Sequence, residues 1–141
     1  MAWIKTQNKT KKEKELPVNK DNFPELNVTV GNCHSVQIRE NGFYAHTSGD
    51  GCNGYVRTGN FDTKKYKNII VYCNNNSWGT SVPTVFLYVN GVQHTAITGG
   101  GKDVTVNIAG RDALNVALGF AGNGSDNAWM DVTMSSITFI P

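Results

Sequence analysis

The sequence predicts an all-β protein: an antiparallel β-sandwich of jelly-roll topology, preceded by a short N-terminal arm. Three observations carry that prediction. From Leu26 onward apolar residues alternate with polar ones at period two, and no stretch sustains the 3.6-residue period of a helix. Asn-Gly pairs stand at 41–42, 53–54, 90–91 and 123–124, and this dipeptide between alternating segments is the strongest short hairpin signal, because both residues tolerate positive φ. The segments are short, with turn signals roughly every eight to twelve residues, the spacing of sandwiches, jelly rolls and small barrels.

Taken in order, residues 1–25 read as the arm. KTQNKTKKEKELPVNKD, Lys5 to Asp21, is dense in lysine, and Pro17 and Pro24 bound the junction. Such a segment is flexible alone and orders against a partner, with Trp3 and Ile4 as the residues to dock. Residues 26–141 form the sandwich. Its strands are expected at 26–30, 34–40, 43–47, 54–58, 67–74, 83–89, 92–98, 103–108, 113–121 and 128–140. Ile69, Val71 and Cys73 share one face; so do Val85, Leu87 and Val89, with Phe86 and Tyr88 opposite. FLYVNGVQHTAI is the clearest hairpin, turning at Asn90-Gly91. In the last strand Met130, Val132 and Met134 hold one face, and Ile137 and Phe139 then take it over. Three steps from Met134 to Ile137 invert the face, so a β-bulge is expected at Ser135-Ser136.

Composition excludes several functions. The chain has 141 residues, one domain's worth, with a net charge of +2 and 17% charged residues. That charge is too small to predict a nucleic-acid or membrane partner; Lys64, Lys65 and Lys67 around Tyr66 lack an aromatic stacking array. No apolar run is long enough to span a bilayer, and Met1 to Leu16 lacks a signal-peptide core. The expectation is a soluble protein made in the cytoplasm. Cys33, Cys52 and Cys73 are odd in number and form no C-x-x-C pair, which predicts reduced thiols.

Motifs for catalysis or cofactors fail on context. GDGCNG, Gly49 to Gly54, has the dinucleotide-binding spacing, yet YVRTGNFD follows where a helix would be needed. TGGGK, Thr98 to Lys102, lacks the P-loop's first glycine and its final Ser or Thr. His34, His46 and His94 are scattered singly, so no metal or cofactor is expected. Asp50, Asp62, Asp126 and Asp131 lie near loops, where a glycosidase would need two converging carboxylates.

The loops carry the positive signal. If each strand runs antiparallel to the one before, alternate connections share an end. TSGDGCNG (47–54), NNNSWGTSVP (74–83) and AGNGSDNAW (121–129) then become neighbours, all rich in Asn, Asp, Ser and Gly beside Tyr55, Trp78 or Trp129. A sugar offers a C–H face to an aromatic ring and hydroxyls to amides, and Asn supplies an acceptor and two donors on a short arm. The candidate ligand residues are Asn74, Asn75, Asn76 and Trp78; Asp50, Asn53 and Tyr55; and Asn123, Asp126, Asn127 and Trp129. Trp129 shares its face with Asp131 and Thr133, opposite Val132, and so points away from the main core.

The stretch NGFYAHTSGDGCNGYVRTGNFDTKKYKNIIVYC, with its Thr-x-x-Phe-Asp-x-x-x-Tyr-Lys-x-Ile run from Thr58 to Ile69, and the closing WMDVTMSSITFI resemble small jelly-roll, galactose-binding-like domains. These occur in tail-fibre, baseplate and minor structural proteins of tailed phages and prophages. The resemblance covers residues 26–141. It implies a non-catalytic accessory protein, virion-associated, that binds glycans such as a host-surface polysaccharide or mediates adhesion. It also implies an alternative, a virion structural or decoration protein acting by assembly, with residues 1–25 docking to other structural proteins and homo-oligomers forming. A glycoside-active enzyme is the remaining alternative.

Overall fold

Alternation of the kind above has one stable outcome: two sheets that bury their apolar faces against each other. A computed structural model of the chain has that architecture, and describes residues 14–19, 21–29, 33–39, 42–48, 53–79, 82–121 and 127–141. The strands in order are β1 (Leu16–Pro17), β2 (Leu26–Val28), β3 (Cys33–Arg39), β4 (Gly42–Ser48), β5 (Gly54–Thr58), β6 (Phe61–Asp62), β7 (Asn68–Asn75), β8 (Thr84–Val89), β9 (Val92–Ala96), β10 (Lys102–Asn107), β11 (Ala113–Leu114), β12 (Val116–Ala121) and β13 (Trp129–Ile140). One sheet has the order β10-β7-β13-β4-β3, with β1 also on β13; the other has β2-β5-β12-β8-β9; β6 and β11 form a small pair. Every pairing among them is antiparallel.

Strand β13 organises the first sheet. On one side it pairs with β7; on the other it pairs with β4 as far as Met134, and with β1 at Thr138 and Phe139. Between those halves the β7 register shifts from Ser135 to Thr138, and Ser136 has φ of 50°. This is the expected bulge. It inverts the alternation, so Met134 and Ile137 are both fully buried. Gly42 is required beside it, because a Cβ there would run into the Met134 carbonyl and stand 2.9 Å from Ser135 Cα.

The core lies between the sheets. Phe43, Val56, Ile69, Val71, Leu87, Leu118, Met130, Val132 and Phe139 are all at 0% exposure. Each such side chain contributes about 1.5–3 kcal/mol by leaving water. Phe61 packs on Phe139 with ring centroids 5.1 Å apart, Tyr66 on Phe139 at 5.6 Å, and Phe23 on Phe43 at 6.0 Å. Thr63 is also buried and donates its hydroxyl to Arg111 O at 2.8 Å. In the Thr58–Ile69 run that carries the resemblance, Thr58, Phe61, Thr63 and Ile69 face the core, while Asn60, Asp62, Lys64, Lys65 and Lys67 are exposed.

Three details differ from the sequence reading. Residues 16–18, assigned to the arm, belong to the sandwich: Leu16 and Pro17 pair with β13 and Val18 is buried. Trp3 and Ile4 lie outside the described residues. Arg39 pairs with Gly42, so Gly42 opens β4 and the connecting positions are 40–41, not 41–42. Gly54 opens β5, which pairs with β2 and β12 and not with β4; 53–54 is therefore no hairpin turn. The turn at Asn90-Gly91 is as expected, with φ of 52° and 79°.

Candidate functional site

The register brings three crossovers between the sheets to one end. Trp129 pairs with Ser48 at the end of β4, and on its other side forms a bridge with Trp78 just after β7. Gly54, Ala121 and Thr84 mark the corresponding end of the second sheet. The described ends of the 47–54, 74–83 and 121–129 connections therefore lie at one end of their sheets, Ser48, Trp78 and Trp129 on the first and Gly54, Thr84 and Ala121 on the second.

The three consecutive amides divide by role. Asn75 is turn chemistry: its Nδ2 donates to Ile97 O at 3.0 Å and its Oδ1 accepts from the Ser77 N–H at 2.9 Å. It ties two crossovers together. Asn76 is exposed and donates its backbone N–H to Asp131 O at 2.8 Å. Asn74 stands on the outer face of β7, opposite Thr133 of β13, and its Oδ1 is buried with no hydrogen-bond partner. Next in the chain, Ser77 Oγ accepts from the Asp131 N–H at 3.0 Å. Residues 76–78 thus extend the β7 edge along β13.

Trp78 is the end of that extension. It donates its N–H to Trp129 O at 2.9 Å and accepts from the Trp129 N–H at 2.8 Å, yet its own surface is 51% exposed. Gly79 makes the approach possible. Its φ is 112°, and a Cβ there would strike the Asn127 carbonyl and stand 2.6 Å from Ala128 Cα.

Beneath Trp78 lies an aromatic shelf on the outer face of the first sheet. His46 stacks on Trp129 at 5.3 Å and 12°, and lies 6.3 Å from both Tyr44 and Trp78. The Arg39 guanidinium sits 4.3 Å above the Tyr44 ring. Asp131 faces His46 across the strands, with Oδ1 3.9 Å from His46 Nδ1, too far for a hydrogen bond. That Oδ1 is buried and has no hydrogen-bond partner. Burial first, then the hydrogen bond to Asp131 and its negative charge, push the Tyr44 phenol up to about 12, while Arg39 pulls the other way. The described residues of the shelf thus supply one carboxylate, Asp131, set among His46, Tyr44 and Trp129.

On its other flank the Trp78 crossover walls a groove of about 370 Å³, which Asn75, Ser77, Pro83 and Thr98 help to line. Ser77 belongs both to this groove and to the contact with Asp131.

The remaining sequence candidates separate. Asn127 is exposed beside Trp129, and its carbonyl abuts Gly79. Asn53 is exposed just before β5. Tyr55 does not join the shelf: it pairs with Gly119 on β12 and lies on the outer face of the other sheet. Asp50, Asn123 and Asp126 lie outside the described residues. The sequence reading missed Tyr44 and His46 as shelf members. Their signal was the alternation of Gly42–Ser48, which places both on the face opposite Phe43 and Ala45. Among the described residues no group of three His, Cys, Asp or Glu is placed to hold a metal ion.

The fold recurs in known structures. No family model and no curated protein matches the chain. The CBM51-2 and INT domains of ZmpB from Clostridium perfringens superpose with a TM-score of 0.52 at 13% identity, covering 89% of this chain and 31% of that one. The CBM51 module of a Clostridium perfringens GH95 protein, in complex with methyl-galactose, gives 0.51 at 11% identity, covering 89% and 99%. A second ZmpB structure, in complex with GlcNAc, gives 0.50 at 12% identity over 90% and 31%. The chain thus spans about a third of the ZmpB structures and nearly all of the isolated module. The shared architecture is the β-sandwich jelly roll of carbohydrate-binding modules.

Proposed function

We propose that this protein is a non-catalytic glycan-binding module whose combining site is the Trp78 end of the sandwich. One observation carries the reading. A half-exposed Trp78, fixed by two reciprocal backbone hydrogen bonds, stands at the end of the outer face on which His46, Trp129 and Asp131 meet. A pyranose would set its C–H face against the indole and offer its hydroxyls to the polar side chains of that face. A purely structural Trp cap would not explain the exposure. The jelly-roll modules that share the fold support the reading, since structures of two of them hold methyl-galactose and GlcNAc. Presentation on a larger particle, as the likeness to phage structural domains implies, would add an attachment segment, for which residues 1–13 are the candidate.

The test is a titration of the purified protein against a panel of bacterial surface glycans and short oligosaccharides. Trp78→Ala and Asn74→Ala accompany the wild type. Expected is binding that each variant weakens about tenfold or more, the loss of roughly 1.4 kcal/mol, while both variants remain folded. Absence of binding across the panel, with a stable oligomer by sedimentation, would instead assign the Trp78 surface to protein assembly.

A further inference from the structure

The second sheet carries an aromatic corner that the Trp78 site does not use. On its outer face Tyr55 of β5 pairs with Gly119 of β12, and the ring of Tyr88 of β8, which pairs with Ala117, leans over the same glycine. A Cβ at Gly119 would collide with Tyr88 Cε1, stand 2.7 Å from its Cδ1 and 3.2 Å from Tyr55 Cε1. The missing side chain is what lets both rings close over β12. They meet at 82° with centroids 5.2 Å apart, a floor and a wall. Tyr88 is pinned further, donating its hydroxyl to Gln93 Oε1 at 2.9 Å. Burial, with the Tyr55 hydroxyl alongside, raises the Tyr88 phenol above its ordinary range.

Charge is what distinguishes this face. The guanidinium of Arg57 lies 5.1 Å from the Tyr55 ring centroid, and among the described residues no carboxylate pairs with it. The five strands of this sheet read LNV, GYVRT, VALGFA, TVFLYV and VQHTA, without one Asp or Glu. A stacked guanidinium keeps its N–H fork available, and a planar carboxylate matches that fork.

We infer that the Tyr55–Tyr88 corner is a second saccharide-binding site, separate from Trp78 and selective for an acidic sugar of the uronate class. The pyranose face rests on one tyrosine and its edge on the other; the carboxylate takes Arg57; ring hydroxyls reach Gln93 and the phenols. A neutral sugar would leave the guanidinium unused. The lysine-rich residues 5–14 carry the wrong sign to occupy the face themselves.

The experiment is an amide and aromatic NMR titration of the full chain with linear tetramers of galacturonate, glucuronate and mannuronate, and with a neutral galactose tetramer. Expected are saturable shifts at Gly119, Tyr55 and Tyr88 with at least one acidic tetramer, and binding about tenfold weaker for the neutral one. Arg57 is exposed, so Arg57→Gln folds normally and should lower that affinity about tenfold or more. Trp78→Ala should leave it unchanged, which separates this site from the first. The inference is overturned if no acidic tetramer shifts these residues at millimolar concentration, if Arg57→Gln binds as the wild type, or if Trp78→Ala abolishes the shifts. Shifts at Tyr55 and Tyr88 that follow protein concentration without sugar would also overturn it, assigning the face to a second copy of the chain.

Discussion

Replacing Gly79 by alanine should open the Trp78 end without touching the core. Gly79 has φ of 112°, a region L residues rarely enter, and its Cβ would strike backbone, the Asn127 carbonyl and Ala128 Cα at 2.6 Å. Backbone cannot rotate aside as a side-chain tip can. The strained conformation costs about 1–3 kcal/mol if the loop holds its place. If the loop retreats, it loses the two reciprocal bonds between Trp78 and Trp129, at 2.9 and 2.8 Å. Those contribute about 0.5–1.5 kcal/mol each. The two routes cost alike, so Gly79→Ala should destabilise by about 1–3 kcal/mol. At roughly 3–4 °C per kcal/mol for a domain of this size, Tm should fall by about 3–12 °C. Urea denaturation should show a lower midpoint at an unchanged slope, and near-UV circular dichroism should lose intensity as Trp78 leaves Trp129 and His46. A variant with the wild-type midpoint and spectrum would refute the Trp78–Trp129 contact.

Two further outcomes follow from buried groups. The Tyr44 phenol should ionise near pH 12, and Asp131→Asn should bring it down toward 10, read by NMR of labelled tyrosine; its folded pKa lies above the unfolded value near 10, so the stability it contributes is complete below pH 10 and is lost as pH rises through 12. Titration of Tyr44 near 10 in the wild type would contradict its contact with Asp131. Burial pushes the Cys73 thiol up to about 12, with Lys102 pulling down and Asp103 up. Iodoacetamide at pH 8 should therefore leave Cys73 unmodified in the native protein and alkylate it in urea, by peptide mapping. Equal rates in the two conditions would refute its burial.

Much of the fold was legible because period-two alternation is a local property. It located the strand from Trp129 to Ile140 together with its bulge, since three steps between Met134 and Ile137 can only mean an extra residue. It could not find β1 or β6, because two residues have no period, and it ran β11 and β12 together as one strand, 113–121, although they pair in different sheets. The Asn-Gly signal failed at 53–54 for a different reason. That pair precedes a strand that crosses to the other sheet, and a crossover places the same demand on φ as a hairpin: Gly54 has φ of 134°.

The site was legible in part. The neighbouring loop ends and the outward face of Trp129 follow from alternation alone. The split among Asn74, Asn75 and Asn76 does not, because it depends on which amide meets Ile97 from a distant crossover. Nor does the shelf. Tyr44 and His46 reach Trp129 through the pairing of β4 with β13, and nothing local to Gly42–Ser48 announces that partner. Tyr55 was grouped with the loops by sequence proximity, yet one residue past Gly54 places it on the other sheet's outer face.

The most direct test of the central claim is the indole N–H region of the NMR spectrum, recorded as an oligosaccharide identified by the glycan panel is added. The chain has three tryptophans, so the signals are few and assignable by substitution. Glycan binding at the loop end predicts saturable shifts of the Trp78 and Trp129 indoles, with Asn74 side-chain amide signals moving in step. A sugar that binds while both indoles stay fixed would contradict the account.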